Sequence, residues 1–327
     1  KQNAAQVTNK GVEFSVNWSD RVGKDFDYNV GFNFTYIKNN VDKFKGDEPS
    51  YDGARMLKEG LPIWSLYVRE IDRIIQTDAD LALVETMLNN PEVEGKVVFP
   101  YGVPQKGDIL YKDLNGDGKI STGANTLNDH GDLKVLGDAN PHYFFGIDLT
   151  ADWKGFDFRC FLQGVLKHDF WAGGDSTTNN DNAGGYFWGA RGNVSEWHIR
   201  GFVQHNDYFR AESVGLEGYE IPANVDSYFP RPLLSYADGG KNQRVQSRYM
   251  QNAAYMRLKN LQLGYTLPAT WTKKAGISKC RLFVSGENLL TFTSLFDVFD
   301  PETCTGGVGG NVYPLSSTWS FGLSLTF

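Results

Sequence analysis

The chain has 327 residues, 14% of them aromatic, with 36 glycines and a formal charge of −7. That aromatic content excludes a disordered chain, and an acidic balance without a basic cluster leaves no nucleic-acid footprint. No stretch approaches the roughly eighteen uninterrupted apolar residues of a transmembrane helix, but the two-residue alternation of a membrane barrel never produces one, so negative mean hydropathy does not exclude a membrane.

The chain opens on the polar segment KQNAAQVTNKG, without the apolar core of a signal peptide. Period-two alternation begins at Gly11 to Asp20, where Val12, Phe14, Val16 and Trp18 oppose Glu13, Ser15, Asn17 and Ser19. After a tight polar turn, Asp25 to Ile37 sets Phe26, Tyr28, Val30, Phe32, Phe34 and Tyr36 against Asp27, Asn29, Gly31, Asn33 and Thr35. A long segment follows, Lys38 to Pro141. Inside it ADLALVETMLNN predicts a short helix between an N-cap at Asp78 and a stop at Asn89-Asn90-Pro91.

His142 to Trp153 resumes the alternation, and Lys154-Gly155 turns it directly into Phe156 to Leu166 as a hairpin. Lys167 to Ala253 is a second long connection. Ala254 to Leu267 and Lys279 to Phe292 form another strand pair across a short linker, Thr293 to Ser317 is a third long connection, and Thr318 to Phe327 alternates without a miss.

Short and long connections therefore alternate strictly, as short periplasmic turns and long extracellular loops do in an outer-membrane barrel. The expected fold is all-β: a transmembrane antiparallel β-barrel, with residues 1–327 a single domain piece carrying its seven C-terminal strands and long extracellular loops. Seven strands leave an open edge that lipid does not tolerate, so further strands are expected, upstream of Lys1 first and from other copies of the same chain as the alternative. The competing fold is a soluble β-sandwich with large insertions, which would bury the aromatic faces of these strands against a second sheet.

AYMRLKNLQLGYTLP (Ala254 to Pro268), CRLFVSGENLLTF (Cys280 to Phe292), FDPE (Phe299 to Glu302) and the closing YPLSSTWSFGLSLTF resemble the SusC/RagA family of TonB-linked outer-membrane transporters. The likeness extends through NKGVEFSVNW (Asn9 to Trp18), GDILYKDLNGDGKIS (Gly107 to Ser121) and GDANPHYFFGIDL (Gly137 to Leu149). Lys167 to Gln246 matches no motif of the family. The resemblance implies a barrel of about 22 strands with a plugged lumen in a Gram-negative outer membrane. It also implies a plug and a TonB-contacting segment before Lys1, a SusD-type lipoprotein lid over the mouth, and import of an oligosaccharide or a peptide.

Asp113, Asn115, Asp117 and Lys119 occupy alternate positions of DLNGDGK, the spacing that wraps oxygen ligands around a hard cation with a glycine at the sharp turn. The twelfth position, where an EF-hand supplies a bidentate Glu, is Ala124; Asp129 or Asp132 would have to reach back. A structural Ca2+ or Mg2+ is the expectation, set against glycine-capped Asx turns that hold no metal. Tyr186, Trp188, Arg191 and Trp197 crowd one external segment and are candidate substrate or lid contacts, against packing of the loops on one another.

Asp25, Asp27, Asp148, Asp152 and Asp157, on the polar faces near the short turns, predict an acidic lining for the lumen's periplasmic end. The five histidines lack HExxH spacing and no GxSxG elbow or Walker loop is present, so no catalytic residue is assigned and no organic cofactor is expected. Three cysteines, Cys160, Cys280 and Cys304, are too scattered for a disulfide framework or a zinc site. The functional expectation is energised nutrient import without enzymatic activity. A passive porin or surface adhesin would share the wall but lack energy coupling, and a barrel hydrolase would need a nucleophile beside a base.

Overall fold

The computed structural model describes residues 5–45, 50–52, 55–124, 129–171, 203–233, 241–242, 244–304 and 313–327. Seven strands form one antiparallel meander in chain order: β1 (Ala5–Val22), β2 (Phe26–Phe44), β3 (Tyr143–Trp153), β4 (Phe156–Val165), β5 (Tyr255–Thr266), β6 (Lys279–Thr293) and β7 (Thr318–Thr326). They fall where the alternation places them, with the hairpin β1–β2 running further than expected. Its apolar alternation fades near Lys10 and Lys38, but backbone pairing needs no apolar side chain, and the ladder continues to Ala5 opposite Phe44. Side-chain bonds replace the lost apolar contacts there: Asn39 donates to Asn9 at 2.6 Å, and Thr8 donates to Asp42.

One face of the sheet is apolar in unbroken rows. At the short-turn end Val22, Phe26, Trp153, Phe156, Tyr265, Leu282 and Leu323 stand in register across all seven strands. At the other end Val12, Tyr36 and Tyr143 are aligned, the two tyrosine rings 4.9 Å apart. From Phe26 to Tyr36 along β2 the chain covers roughly 33 Å at about 3.3 Å per residue, which a tilt of about 45° reduces to about 23 Å. That is the height of an outer-membrane barrel's apolar band. The soluble sandwich fails here, because its aromatics would be covered, whereas Trp319 is 58% and Phe321 83% exposed. No helix among the described residues is long and apolar enough to cross a membrane, which says nothing against strands that do.

The tight turn Lys154-Gly155 has positive φ at both residues, 46° and 89°, the backbone that matches the twist of a two-residue hairpin. Gly155 also lies against β5: a Cβ there would come within 2.8 Å of the Thr266 carbonyl.

The long connections are not bare loops. The first carries a four-stranded sheet in the order Ser50–Asp52, Arg55–Leu57, Ser65–Arg69 and Leu133–Asp138, a strand pair Ile71–Ile74 with Ile109–Tyr111, and the helix Asp78–Leu88. The helix cap is a correction. It is Thr77, not Asp78: the Thr77 hydroxyl accepts from the Asp80 N–H, and the Asp80 carboxylate accepts from the Thr77 N–H, closing a capping box. Asp80 also takes the Gln76 N–H and an Arg73 guanidinium; burial opposes ionisation, yet these bonds hold its pKa down to about 2. Cys160, Cys280 and Cys304 are free.

Candidate functional site

The hydrophobic core of this chain lies in its connections, with the wall contributing little. One buried cluster joins Leu66 and Val68 of the first connection to Phe170, Trp171, Phe229, Val245 and Tyr249 of the second and Leu295, Phe299 and Cys304 of the third. A second, built on Ile75, Val84, Ile109 and Ile120, takes in Phe209 from the second connection. Three segments far apart in sequence thus form one packed cap. Where the wall meets it, the buried residues Val41, Val165, Tyr255 and Arg257 belong to the polar face of their strands, with Leu258 the buried neighbour on the other face. The cap therefore folds over the polar side of the sheet.

Buried charge fastens the roof at two places. Asp108, fully buried, accepts two bonds from Arg231 at 2.6 and 2.9 Å, one from Lys241 at 3.1 Å and one from the Asn242 amide at 2.9 Å. Burial pushes its pKa up, but the Arg231 guanidinium and Asn242 outweigh that and leave it below the ordinary carboxylate value. This anchor ties the first connection to the second. The other ties the third connection to β5: Arg257 donates to Asp300 and to Glu302 at 2.8 Å each and to Thr291 at 2.7 Å, while Lys259 reaches Glu302 at 3.0 Å. These are the residues of the MRLKN and FDPE motifs, so two segments that carry the family resemblance are held to each other.

Nearby, buried Arg69 donates to the Tyr101 hydroxyl at 2.5 Å with its guanidinium 4.9 Å from that ring, and its backbone N–H bonds to the Val245 carbonyl. Nothing in a linear reading marked Arg69, Asp108 or Arg231, because each acquires its partner through long-range packing; only an arginine set among apolar residues at the start of β5 was a usable signal.

The predicted acidic lining is also corrected, at every one of its five carboxylates except Asp152. Asp27 pairs with Arg21 at 2.5 Å, Asp148 with Arg159 at 2.9 Å, Asp157 with Arg281 at 2.5 Å, and Asp25 with Lys154 at 3.6 Å. The wall is a ladder of ion pairs, since the cationic partners share the acids' face on neighbouring strands. The Arg281 pair spans β5 directly above Gly264, so a side chain there would have to push the Asp157 carboxylate and the Arg281 guanidinium aside.

In DLNGDGK the predicted oxygens gather on one loop of Asx turns. Asp113 accepts from the N–H groups of Gly116 and Gly118, Asn115 from Asp117, and Asp117 from Lys119, whose ammonium also lies 3.5 Å from the Asp117 carboxylate. Asp132 reaches back, accepting from Leu114 and Ser121, while Asp129 accepts from Ala124. Burial, with the Asp113 charge adding, raises the Asp132 pKa. Among the described residues no three His, Cys, Asp or Glu side chains group closely enough to hold a metal by themselves. Tyr186, Trp188, Arg191 and Trp197 lie outside the described residues.

No family model matches the chain. It is 29% identical over 352 residues to TonB-dependent receptor P3 of Formosa agariphila, with all of the chain aligned to 29% of that protein. It is 25% identical over 333 residues to the TonB-dependent receptor SusC of Bacteroides thetaiotaomicron, again over the whole chain and 27% of that protein. The structure of the RagAB peptide transporter shares its fold over the full chain and 30% of the matched chain, with a TM-score of 0.64 at 20% identity. The chain thus spans about three tenths of the relatives it matches. These likenesses bear out the SusC/RagA resemblance, the barrel-wall fold and a location in the outer membrane of a Gram-negative bacterium. The relatives are receptors and a transporter, not enzymes.

Proposed function

We propose that this chain is the wall and extracellular roof of a plugged, TonB-dependent importer that carries a nutrient, oligosaccharide or peptide, across the outer membrane. The observation that carries the proposal is the cap: three connections share one core and fold over the polar side of a lipid-facing sheet, which suits a roofed chamber better than an open pore. The wall is the fixed part, the cap frames the chamber, and gating falls to a plug outside this chain. A SusD-type lipoprotein is the proposed lid and TonB the proposed energy source. The lid's contact would include Tyr186, Trp188, Arg191 and Trp197 together with the Val214–Ile221 turn, where Leu216 and Tyr219 are 78% and 84% exposed.

Uptake of a labelled peptide or oligosaccharide by cells carrying the receptor tests the coupling. A protonophore is expected to reduce accumulation to background; accumulation that persists would point to a passive porin.

A Ca2+ or Mg2+ ion in the DLNGDGK loop is part of the same proposal, with Asp113, Asn115, Asp117 and the Lys119 position as ligands and Asp129 beside them. The support is that the oxygens of Asp113, Asn115 and Asp117 are carried on one short loop at alternate positions, and the ion's role would be to stiffen the cap. Asp117→Ala is expected to lower the melting temperature in calcium and to leave a chelated sample unchanged. An equal loss in both buffers would dismiss the ion.

A further inference from the structure

Lys10 stands directly opposite Lys38 in the β1–β2 ladder. Strand alternation fixes which way the pair points. Asn39 accepts the Ile63 N–H of the first connection at 2.7 Å and Val41 is buried, so these two face the cap. Lys10 and Lys38 therefore share the face of Val12 and Tyr36 and look away from the cap, and both are exposed. Val12, Tyr36 and the Tyr143 ring stacked on Tyr36 close the apolar band two residues below. At about 3.3 Å per residue and a tilt of about 45°, the lysines sit only about 5 Å above it, at the level of lipid headgroups.

Like charges set opposite each other across a ladder repel. On the polar face of the wall the cations Arg21, Arg159 and Arg281 each hold an aspartate. Lys10 and Lys38 hold none: among the described residues neither ammonium has a carboxylate at ion-pair distance. Asp42 is near enough to feel the Lys10 charge, but Thr8 and Asn40 donate to its two oxygens. A strand added at the β1 edge would have β1 between itself and Lys38, whose other side is closed where Ile37 bonds to His142 and Val41 to Leu61.

An anion placed between the two ammoniums removes their repulsion and is held by both. Depth selects its carrier. The outer leaflet of a Gram-negative outer membrane presents lipid A, whose phosphates lie just outside its acyl chains. We propose that Lys10 and Lys38 form a clamp for a lipid A phosphate of the surrounding leaflet, with the acyl chains running down over Val12, Tyr36 and Tyr143. The clamp does not depend on what the barrel carries.

Native mass spectrometry of the intact receptor in detergent, with diphosphoryl lipid A added, tests it. The wild type is expected to retain the lipid, and Lys10→Gln combined with Lys38→Gln to weaken retention by about thirtyfold, roughly fivefold for each ammonium. Lipid A stripped of its phosphates should bind both proteins weakly and alike. Without lipid the double variant is expected to melt no lower than the wild type, because it loses a repulsion; with diphosphoryl lipid A only the wild type should gain. Undiminished retention by the double variant, or dephosphorylated lipid A held as tightly as the phosphorylated form, would overturn the clamp. Inorganic phosphate bound as tightly as lipid A would overturn the lipid as its occupant, and a double variant that melts lower without lipid would assign the two lysines to the fold instead.

Discussion

Arg257→Ala is expected to release the third connection from the wall at a cost of about 3–5 kcal/mol, the usual loss when one member of a buried ionic cluster is removed and its partners stay behind. Asp300 is the partner most affected: it is buried, and apart from Arg257 it accepts only backbone N–H groups of Glu302 and Leu315 among its described bonds. Because the wall ladder does not pass through this cluster, the loss should appear as local opening rather than collapse of the barrel. A loss of about 3 kcal/mol corresponds to roughly a hundredfold increase in cleavage of residues 294–304 by a protease when opening is fast. Cleavage at the wild-type rate would show that the FDPE segment is held by something else. Arg257→Met, which keeps much of the stem but not the guanidinium, should behave nearly as badly, since the uncompensated carboxylates set the cost.

Asp108→Ala should be comparably damaging, again about 3–5 kcal/mol, because it leaves the buried Lys241 ammonium without its anion and takes from the half-buried Arg231 its carboxylate partner. The readout is fluorescence of Trp171, buried in the cluster that joins the three connections, together with protease sensitivity. The same anchor sets the pH response of the wild type. Asp108 and Asp300 are both depressed below the ordinary carboxylate value, in each case against the opposing effect of burial. A depressed folded pKa contributes stability that is fully present above the unfolded value of about 3.9 and is lost as pH falls through the folded value. The cap is therefore expected to stay closed from neutrality down to about pH 4 and to loosen in more acid solution. An opening transition centred above about pH 5 would contradict the assignment of these carboxylates as its anchors.

The wall was legible in the sequence because lipid and water impose opposite demands on successive residues, and Phe26 to Tyr36 obeys both. Its extent beyond Lys10 and Lys38 was not, since hydrogen-bonded backbone above the apolar band leaves no alternation to read. The helix was legible in type and position, but its start shifted by one residue because Thr77 and Asp78 are both good caps and the capping box closes on Asp80 instead of the usual Glu or Gln. The roof stayed hidden for a different reason. Asp108 and Arg231 are 123 residues apart, and Arg257 and Asp300 are 43 apart, so each looked like an ordinary surface charge until folding brought it to its partner. The acidic lining was misread in the same way, with the anions noticed and Arg21, Arg159 and Arg281 on adjoining strands overlooked.

A chain whose sheet is bathed in lipid while its core sits in water answers to two solvents at once. Urea and acid act on the aqueous half, where burial and ion pairing do the holding, and scarcely reach backbone ladders sheltered by hydrocarbon. Moderate denaturant should therefore loosen the cap while the strands beneath it stay embedded, and folding should proceed in the opposite order, staves first and dome afterwards.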